Sequence, residues 1–135
     1  MICLETIGYY SREPGSQSLP PPLGSMYDND RRDFVAFVSN RRSHDFLMRV
    51  IGAFRKHAAF PSEGLAAPSI IPGLDLSDNW AFQQVGYKAV MVTDTAFMRY
   101  PYYHSMGDTP EKLDYLSLAK VTHGLARTVQ DLAEG

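Results

Sequence analysis

Apolar residues in this chain cluster in short runs that alternate with polar and proline-rich segments. Four runs have the length and composition of β-strands: residues 1–7, 34–39, 66–71 and 88–93. Three segments with apolar residues at helical spacing are predicted helices: residues 44–57, a short helix from Ser77 or Asp78 to Gly86, and residues 115–133. Strands separated by helices favour an α/β fold with a largely parallel central sheet.

The flanking residues and the pattern inside each element predict which residues are buried, which cap the helices and where the loops lie. The run 1–7 is apolar enough to predict a strand buried on both faces. Ser43 and Asp114 are the expected N-caps of the two long helices. The last helix should bury a stripe of five residues: Leu118, Val121, Leu125, Val129 and Leu132. Two long loops are predicted at 11–30 and 94–109, with Pro61 and the Glu63-Gly64 pair read as breaks in the pattern between elements.

Length and composition exclude several classes of protein. The 135 residues, 44% of them hydrophobic, fit a single domain over residues 1–135. A net charge of −2 gives no sign of nucleic-acid or membrane-surface binding. We expect no membrane span and see no signal peptide, which leaves the compartment open. The single cysteine, Cys3, excludes an internal disulfide and a multi-cysteine zinc site, and its apolar neighbours predict a buried structural thiol.

Binding or catalytic residues are expected in the loops that follow the strands, after Ile7, Ser39 and Thr93, because ligand crevices form at the carboxyl ends of parallel strands. His104 is either an ordinary surface residue or a metal ligand presented at the rim of the sheet. Tyr103 beside it could stabilise negative charge on a substrate oxygen. Glu5 is either an ion-pair partner or a zinc ligand, since zinc accepts carboxylate oxygen and imidazole nitrogen.

The remaining titratable residues have simpler interpretations. Asp78 is read as an N-cap or first-turn residue that could also orient a ligand. Asp94 and Asp108 are predicted turn residues, and Asp94 should accept hydrogen bonds from local backbone amides. Three histidines on predicted helices are expected to be solvated: His44, His57 and His123.

Four stretches of the chain resemble, in order, the C-terminal half of the di-zinc aminopeptidases, whose relatives include bacterial leucine aminopeptidases and the glutaminyl cyclases. The stretches are Leu4-Glu5-Thr6-Ile7-Gly8-Tyr9, Ser77-Asp78-Asn79-Trp80-Ala81-Phe82, Gly86 to Asp94, and Tyr103-His104-Ser105-Met106-Gly107-Asp108-Thr109-Pro110. The resemblance runs across nearly the whole chain, and its last motif is the most specific.

This resemblance implies a three-layer α/β/α sandwich of the phosphorylase/hydrolase-like kind, incomplete at its N-terminal side, and a site for two zinc ions. Glu5 corresponds to the acidic zinc ligand at the end of a central strand, and His104 to the last histidine ligand, on the other zinc. Tyr103 matches a tyrosine that assists the oxyanion. Asp78 and Asn79 correspond to substrate-pocket positions, where the family usually reads Ser-Asp-His.

The family's other three ligands and its general base lie upstream of the strand that carries Glu5. The resemblance therefore implies a C-terminal portion of a zinc-dependent aminopeptidase acting on a peptide or aminoacyl substrate, with little activity by itself. The chain should then associate with itself or with a missing N-terminal half. Two alternatives stay open: a non-catalytic interaction or self-associating domain, and a small domain that reuses the fold for another ligand.

Overall fold

The computed structural model describes residues 1–19, 21, 23–26, 33–68, 73 and 75–135. Its strands are β1 (Ile2–Leu4), β2 (Val35–Ser39), β3 (Ser62–Ala66) and β4 (Val90–Thr93). Its α-helices are α1 (Leu23–Met26), α2 (His44–His57), α3 (Asn79–Gln84) and α4 (Tyr115–Glu134), and 3-10 helices cover Arg41–Ser43, Ala96–Met98 and Pro110–Lys112. The predicted α/β class is confirmed. Within the described part of the chain, no helix is long and apolar enough to cross a membrane.

The four strands form one mixed sheet in the order β1-β4-β2-β3. β1 pairs with β4 and β2 pairs with β3 in parallel, whereas β2 and β4 are antiparallel. The predicted, largely parallel sheet is confirmed at this level. However, the antiparallel pair puts the carboxyl end of β2 at the opposite end of the sheet from those of β1 and β4. The expectation that the loop after Ser39 shares a crevice with the loops after Ile7 and Thr93 is therefore wrong.

One face of the sheet packs against α2 and α4. This core contains apolar residues of both central strands and both helices, among them Val35, Phe37, Val90, Val92, Leu47, Val50, Phe54, Val121 and Leu125. The opposite face, called the second face below, carries a smaller apolar cluster: Phe34, Ala36, Val38 and Met91. The two long helices thus cover one side of the sheet, and the second face borders the cavity that forms the candidate site.

The buried stripe of α4 differs from the prediction at one position. Val121 and Leu125 are buried as predicted, and Leu118 and Leu132 are half-buried, but Val129 is 54% exposed. Thr128 is buried in its place and donates a hydrogen bond to the Gly124 carbonyl at 2.8 Å. At about 100° per residue, the buried residues Val121, Gly124 and Thr128 all lie to one side of Leu125 around the helix, whereas Val129 lies on the other side, at the edge of the buried face.

Both predicted N-cap residues occupy the N-cap positions of the long helices, but only one of them makes a side-chain cap bond. Asp114 caps α4, because its Oδ1 accepts a hydrogen bond from the Ser117 amide at 3.0 Å. Ser43 makes no side-chain cap bond at the start of α2. A 3-10 helix precedes α2, and there Asn40 accepts from the Ser43 amide at 2.9 Å. The Ser43 hydroxyl instead accepts from the Ala89 amide, 3.2 Å away, just before β4.

The third strand lies earlier than predicted. It covers Ser62–Ala66 rather than 66–71, and residues 69–72 lie outside the described part. Pro61 does not interrupt the pairing, because it precedes the strand and its carbonyl accepts a hydrogen bond from the Val35 amide at 2.9 Å. Glu63 and Gly64 pair in register with β2. In the predicted loop 11–30, α1 forms one helical turn, while residues 20, 22 and 27–30 are not described.

The first strand is shorter and more exposed than predicted. Cys3 is buried, as expected of a structural thiol, and its Sγ lies 3.0 Å from the Ser77 Oγ. Leu4 is 54% exposed, so the prediction of burial on both faces is wrong. The physical reason is the strand order: β1 is terminal in the described sheet and pairs there with β4 alone.

Candidate functional site

The parallel pairing of β1 and β4 brings Glu5 next to the segment that follows β4. Leu4 is opposite Val92, and the Glu5 amide donates to the Val92 carbonyl at 3.0 Å. One step further, the Asp94 amide donates to the Thr6 carbonyl at 2.7 Å. The carboxyl ends of the two strands therefore meet at one end of the sheet, where ligand crevices form in α/β proteins.

The buried carboxylate of Asp94 connects the segment after β1 to the loop after β4, and this contact is called the junction below. Asp94 Oδ1 accepts hydrogen bonds from the Thr6 hydroxyl at 2.6 Å and from the Ala96 amide at 3.0 Å. Its Oδ2 accepts from the Tyr9 amide at 2.8 Å. The bond to Ala96 confirms the predicted local role, while the other two bonds fix the chain after β1 against the loop after β4.

Arg99 holds the same loop from inside the protein and was missed by the sequence reasoning. Its side chain is only 4% exposed; Nη1 donates to the Phe34 carbonyl at 2.9 Å and Nε donates to Gln17 Oε1 at 2.8 Å. Burial lowers the pKa of this guanidinium to about 10, against the opposing effect of the Asp94 charge. Nothing in the local sequence distinguishes Arg99 from an ordinary surface arginine.

The loop after β4 contains an unusual backbone. In the described chain, three non-glycine residues have a positive φ: Thr95 at 77°, Ala96 at 45° and His104 at 54°. Each such conformation costs on the order of 1–2 kcal/mol for an L-residue. Backbone strain of this kind concentrates at functional sites, where the surrounding contacts enforce it. All three residues lie in the segment that begins where β4 ends.

Tyr103 and His104 form a stacked pair in this loop. Their ring centroids are 3.9 Å apart and the rings are 15° from parallel, with Tyr103 half-buried and His104 exposed. The loop is closed by the Tyr100 hydroxyl, which donates to Asp108 Oδ1 at 2.9 Å, so the predicted turn residue Asp108 has a structural partner. Burial first, and then the negative charge of Glu5, raise the pKa of Tyr103. Glu5 and Tyr103 are therefore close enough to interact electrostatically.

Glu5 and Tyr103 both line a cavity of about 100 Å³ on the second face of the sheet. Most of its wall is apolar, and Ser77 lies in it. The two predicted substrate-pocket residues follow Ser77 at the start of α3: Asp78 is exposed and makes no side-chain cap bond, and Asn79 is buried. The structure thus brings Glu5 and Tyr103 to one cavity, with His104 stacked on Tyr103, and leaves Asp78 and Asn79 beside the cavity wall.

The donors in this chain suit zinc by chemical type, since one is a carboxylate and the other an imidazole. Among the described residues, Glu5 forms no ion pair, so the alternative role of Glu5 as an ion-pair partner has no support there. Across those same residues, no three His, Cys, Asp or Glu side chains gather into a metal-binding group. By donor type, Glu5 and His104 each match a single zinc ligand.

The other histidines lie away from the cavity. His123 is exposed, and exposed His44 lies 3.5 Å from Asp45, as expected for solvated side chains. His57 is not solvated: its half-buried Nε2 lies 2.8 Å from Asp131 Oδ2 of α4. The prediction failed because the partner is 74 residues away and enters only when α2 and α4 pack together.

No family model matches the chain. It is similar to the Escherichia coli (strain K12) protein described as "Uncharacterized protein YfbL", with 39% identity over 125 residues. The matched region is 93% of this chain and 39% of the E. coli protein. The chain therefore spans well under half the length of this curated relative.

Proposed function

We propose that the chain is the C-terminal portion of the catalytic domain of a zinc-dependent, aminopeptidase-like hydrolase that cleaves N-terminal peptide bonds. The observation that carries the proposal is the cavity that Glu5 and Tyr103 share beside the carboxyl ends of the parallel strands β1 and β4, with His104 stacked on Tyr103. The motifs that resemble the di-zinc aminopeptidases supply the same three residues. In the complete three-layer α/β/α sandwich, further elements would cover the second face of the sheet.

In this proposal Glu5 and His104 each hold one zinc ion. Bound zinc supplies a water activated at neutral pH and polarises the scissile carbonyl. Tyr103 acts through its hydroxyl: a phenol, with an ordinary pKa of about 10, is protonated at neutral pH, so it donates a hydrogen bond to the oxygen that becomes negative in the tetrahedral intermediate. Stacking on His104 fixes the plane of the phenol ring. Asp78 and Asn79 would contribute to the substrate pocket beside Ser77.

The chain alone should hydrolyse little or nothing. Glu5 and His104 are assigned to different ions, and single protein ligands hold zinc poorly compared with the three or four of typical sites. A positioned general base contributes about 10²–10⁴-fold to such reactions, and the motifs in this chain contain none. Activity therefore requires the part of the protein that supplies the remaining ligands and the base.

A chimera tests the proposal. The chain replaces the matched region of the E. coli relative, so that the remainder of that longer protein supplies the missing length. Hydrolysis of aminoacyl chromogenic substrates is then measured with and without zinc, alongside the unmodified relative and the chain alone. We expect zinc-dependent hydrolysis by the chimera and none by the chain alone.

Single substitutions in the chimera assign the roles. His104→Ala should remove zinc-dependent hydrolysis, and Tyr103→Phe should lower kcat about 10²–10³-fold, the effect of one oxyanion donor, with little change in KM. His123→Ala, at an exposed histidine on α4, is the matched control and should leave the rate unchanged. A folded chimera that shows no hydrolysis, or one whose activity survives His104→Ala, would contradict the proposal.

A second candidate function, a non-catalytic interaction domain, is supported by exposed apolar residues. Several large apolar side chains on and around α3 are exposed: Leu76, Trp80, Phe82, Val85 and Tyr87. Scattered apolar residues are common on protein surfaces, but a group of this size in one short segment is typical of an interaction surface. A non-catalytic domain that self-associates or binds a partner through this segment is the alternative, and its mass in solution reports on it.

A further inference from the structure

The strand register places four residues in one row across the sheet. Ala36 of β2 is opposite Thr93 of β4 on one side and Glu63 of β3 on the other. Because Leu4 is opposite Val92, the next residue, Glu5, continues the row beside Thr93. All four residues line the cavity on the second face. Strands in a sheet are about 4.8 Å apart, so the backbone positions of Glu5 and Glu63 are separated by roughly 14 Å.

Glu63 is a half-buried carboxylate at the far end of this row. None of the ion pairs of the described residues includes it. The nearby Arg55 of α2 is occupied on the other side of the sheet, where its Nε donates to the Ser62 hydroxyl at 2.9 Å. The described residues that line the cavity include no lysine, arginine or histidine. A carboxylate against apolar walls is costly unless a ligand or partner compensates its charge.

The space between the two glutamates has the character of an apolar slot. Its floor is formed by the small residues Thr93 and Ala36, and its walls include Met91, Leu65 and Phe97. The volume of about 100 Å³ is several times the roughly 10–15 Å³ that one water molecule needs. The slot therefore accepts an unbranched hydrocarbon chain better than a string of waters, and it ends at Glu63, whose carboxylate has no ion-pair partner among the described residues.

We propose that this slot binds the side chain of an N-terminal lysine or arginine, with the apolar stem along the row and the positive charge paired with Glu63. The proposal rests on the proposed function, which puts the reacting peptide bond at the other end of the row, beside Glu5 and Tyr103. Glu63 is then the specificity-determining residue. A residue with a long, neutral side chain fills the slot but leaves the carboxylate unpaired, so it binds less tightly.

Binding of two matched probes to the chain itself tests this inference without requiring catalysis. Lysinamide and norleucinamide share the α-ammonium group and the straight stem, and they differ in the terminal positive charge. Dissociation constants are measured by NMR titration, and the methyl signals of Met91 and Met98 in the cavity wall report where each probe binds. We expect lysinamide to bind about tenfold more tightly, the effect of one charge-assisted hydrogen bond.

Glu63→Gln should abolish this preference and leave norleucinamide binding unchanged, whereas Glu134→Gln, at the end of α4, should leave the preference intact. Failure of lysinamide to bind, equal binding of both probes, or a preference that survives Glu63→Gln would each overturn the inference. The two proposals fail separately. A chimera without hydrolysis removes the catalytic proposal while probe binding stands, and an active chimera indifferent to Glu63 removes the specificity proposal alone.

Discussion

The Asp94 carboxylate joins two parts of the chain that are more than 80 residues apart, and its loss should be measurable in stability. Asp94→Ala leaves the buried amide of Ala96 and the amide of Tyr9 without an acceptor. Each unsatisfied buried donor costs about 1–3 kcal/mol, so we expect a loss of about 3 kcal/mol in the free energy of unfolding, measured by urea denaturation. Asp94→Asn, which keeps an acceptor oxygen, should lose less.

The control for this substitution is Asp45→Ala, at an exposed aspartate in the first turn of α2. It should change the free energy of unfolding by no more than about 0.5 kcal/mol. Equal effects of Asp94→Ala and Asp45→Ala would show that the carboxylate does not hold the junction.

At this scale, the sequence predicts what a residue does to its own neighbours in the chain. Asp94 after an apolar run predicts hydrogen bonds with local backbone amides, of which the Ala96 amide makes one, and Asp114 before a periodic run predicts a cap. The sequence does not predict hydrogen-bond partners that come together only through tertiary packing. The bonds from Thr6 and Tyr9 to Asp94, and the place of Glu63 in the cavity, depend on strand register, which no local pattern encodes.

Two helical glycines that look alike in the sequence have opposite surroundings in the structure. A methyl group at Gly124 of α4 would lie 2.6 Å from Ala58 Cβ and from Phe54 Cε2, whereas one at Gly52 of α2 would meet nothing within 4 Å. Replacing glycine by alanine inside a helix gains up to about 1 kcal/mol. Overpacking a close helix contact costs about 1–3 kcal/mol.

We therefore expect Gly52→Ala to raise the free energy of unfolding by about 0.5–1 kcal/mol and Gly124→Ala to lower it by about 1–2 kcal/mol. Thermal and urea denaturation of both variants measure the difference, and each variant is the control for the other. A stabilised Gly124→Ala protein would mean that α2 and α4 are farther apart than the structure has them.

The contact between His57 and Asp131 makes the pairing of α2 and α4 depend on pH. The hydrogen bond from His57 is the main cause that lowers the pKa of Asp131. A carboxyl group with a lowered folded-state pKa stabilises the fold above its unfolded value of about 3.9, and that contribution disappears as the pH falls through the folded-state value.

Acidification from pH 5 to pH 2.5 should therefore destabilise the protein more than it destabilises His57→Ala, as melting temperatures across that range will measure. His123→Ala, which removes an exposed histidine from the same helix as Asp131, should follow the unmodified protein. Parallel melting curves for the protein and His57→Ala would exclude a role for this pair.

Elements were predictable where the local pattern is strong. The run 34–39 and the periodic segment 44–57 match β2 and α2 to within one residue, because continuous apolar runs and helical spacing reflect burial directly. β3 was misplaced because it is rich in small and polar residues and terminal in the described sheet, so its pairing with β2 leaves little hydrophobic signal. The same weakness hid Glu63, which was read as part of a break.

For the whole molecule, the alternation of strands and helices predicted the α/β class but not the direction of β2. That single antiparallel pairing decides which segments surround the site: the segment before β2 joins those after β1 and β4. The connection between β1 and β2 is rich in proline, glycine and serine, a composition that carries no information about the direction of β2. The candidate residues Glu5, Tyr103 and His104 came from the motifs, and the cavity that two of them line came from the topology.

The exposed apolar segment around α3 predicts that the chain associates with itself in isolation. Burying apolar surface contributes about 25 cal/mol for each Å², so side chains such as Leu76 and Val85, the latter 72% exposed, favour contact over hydration. Light scattering coupled to gel filtration should show a mass that rises with protein concentration. Leu76→Lys combined with Val85→Lys should restore a monomer without changing the melting temperature. The control Met106→Lys, at a fully exposed residue of the loop after β4, should not restore a monomer. If the unsubstituted chain is a monomer at every concentration, the segment around α3 is not a self-association surface.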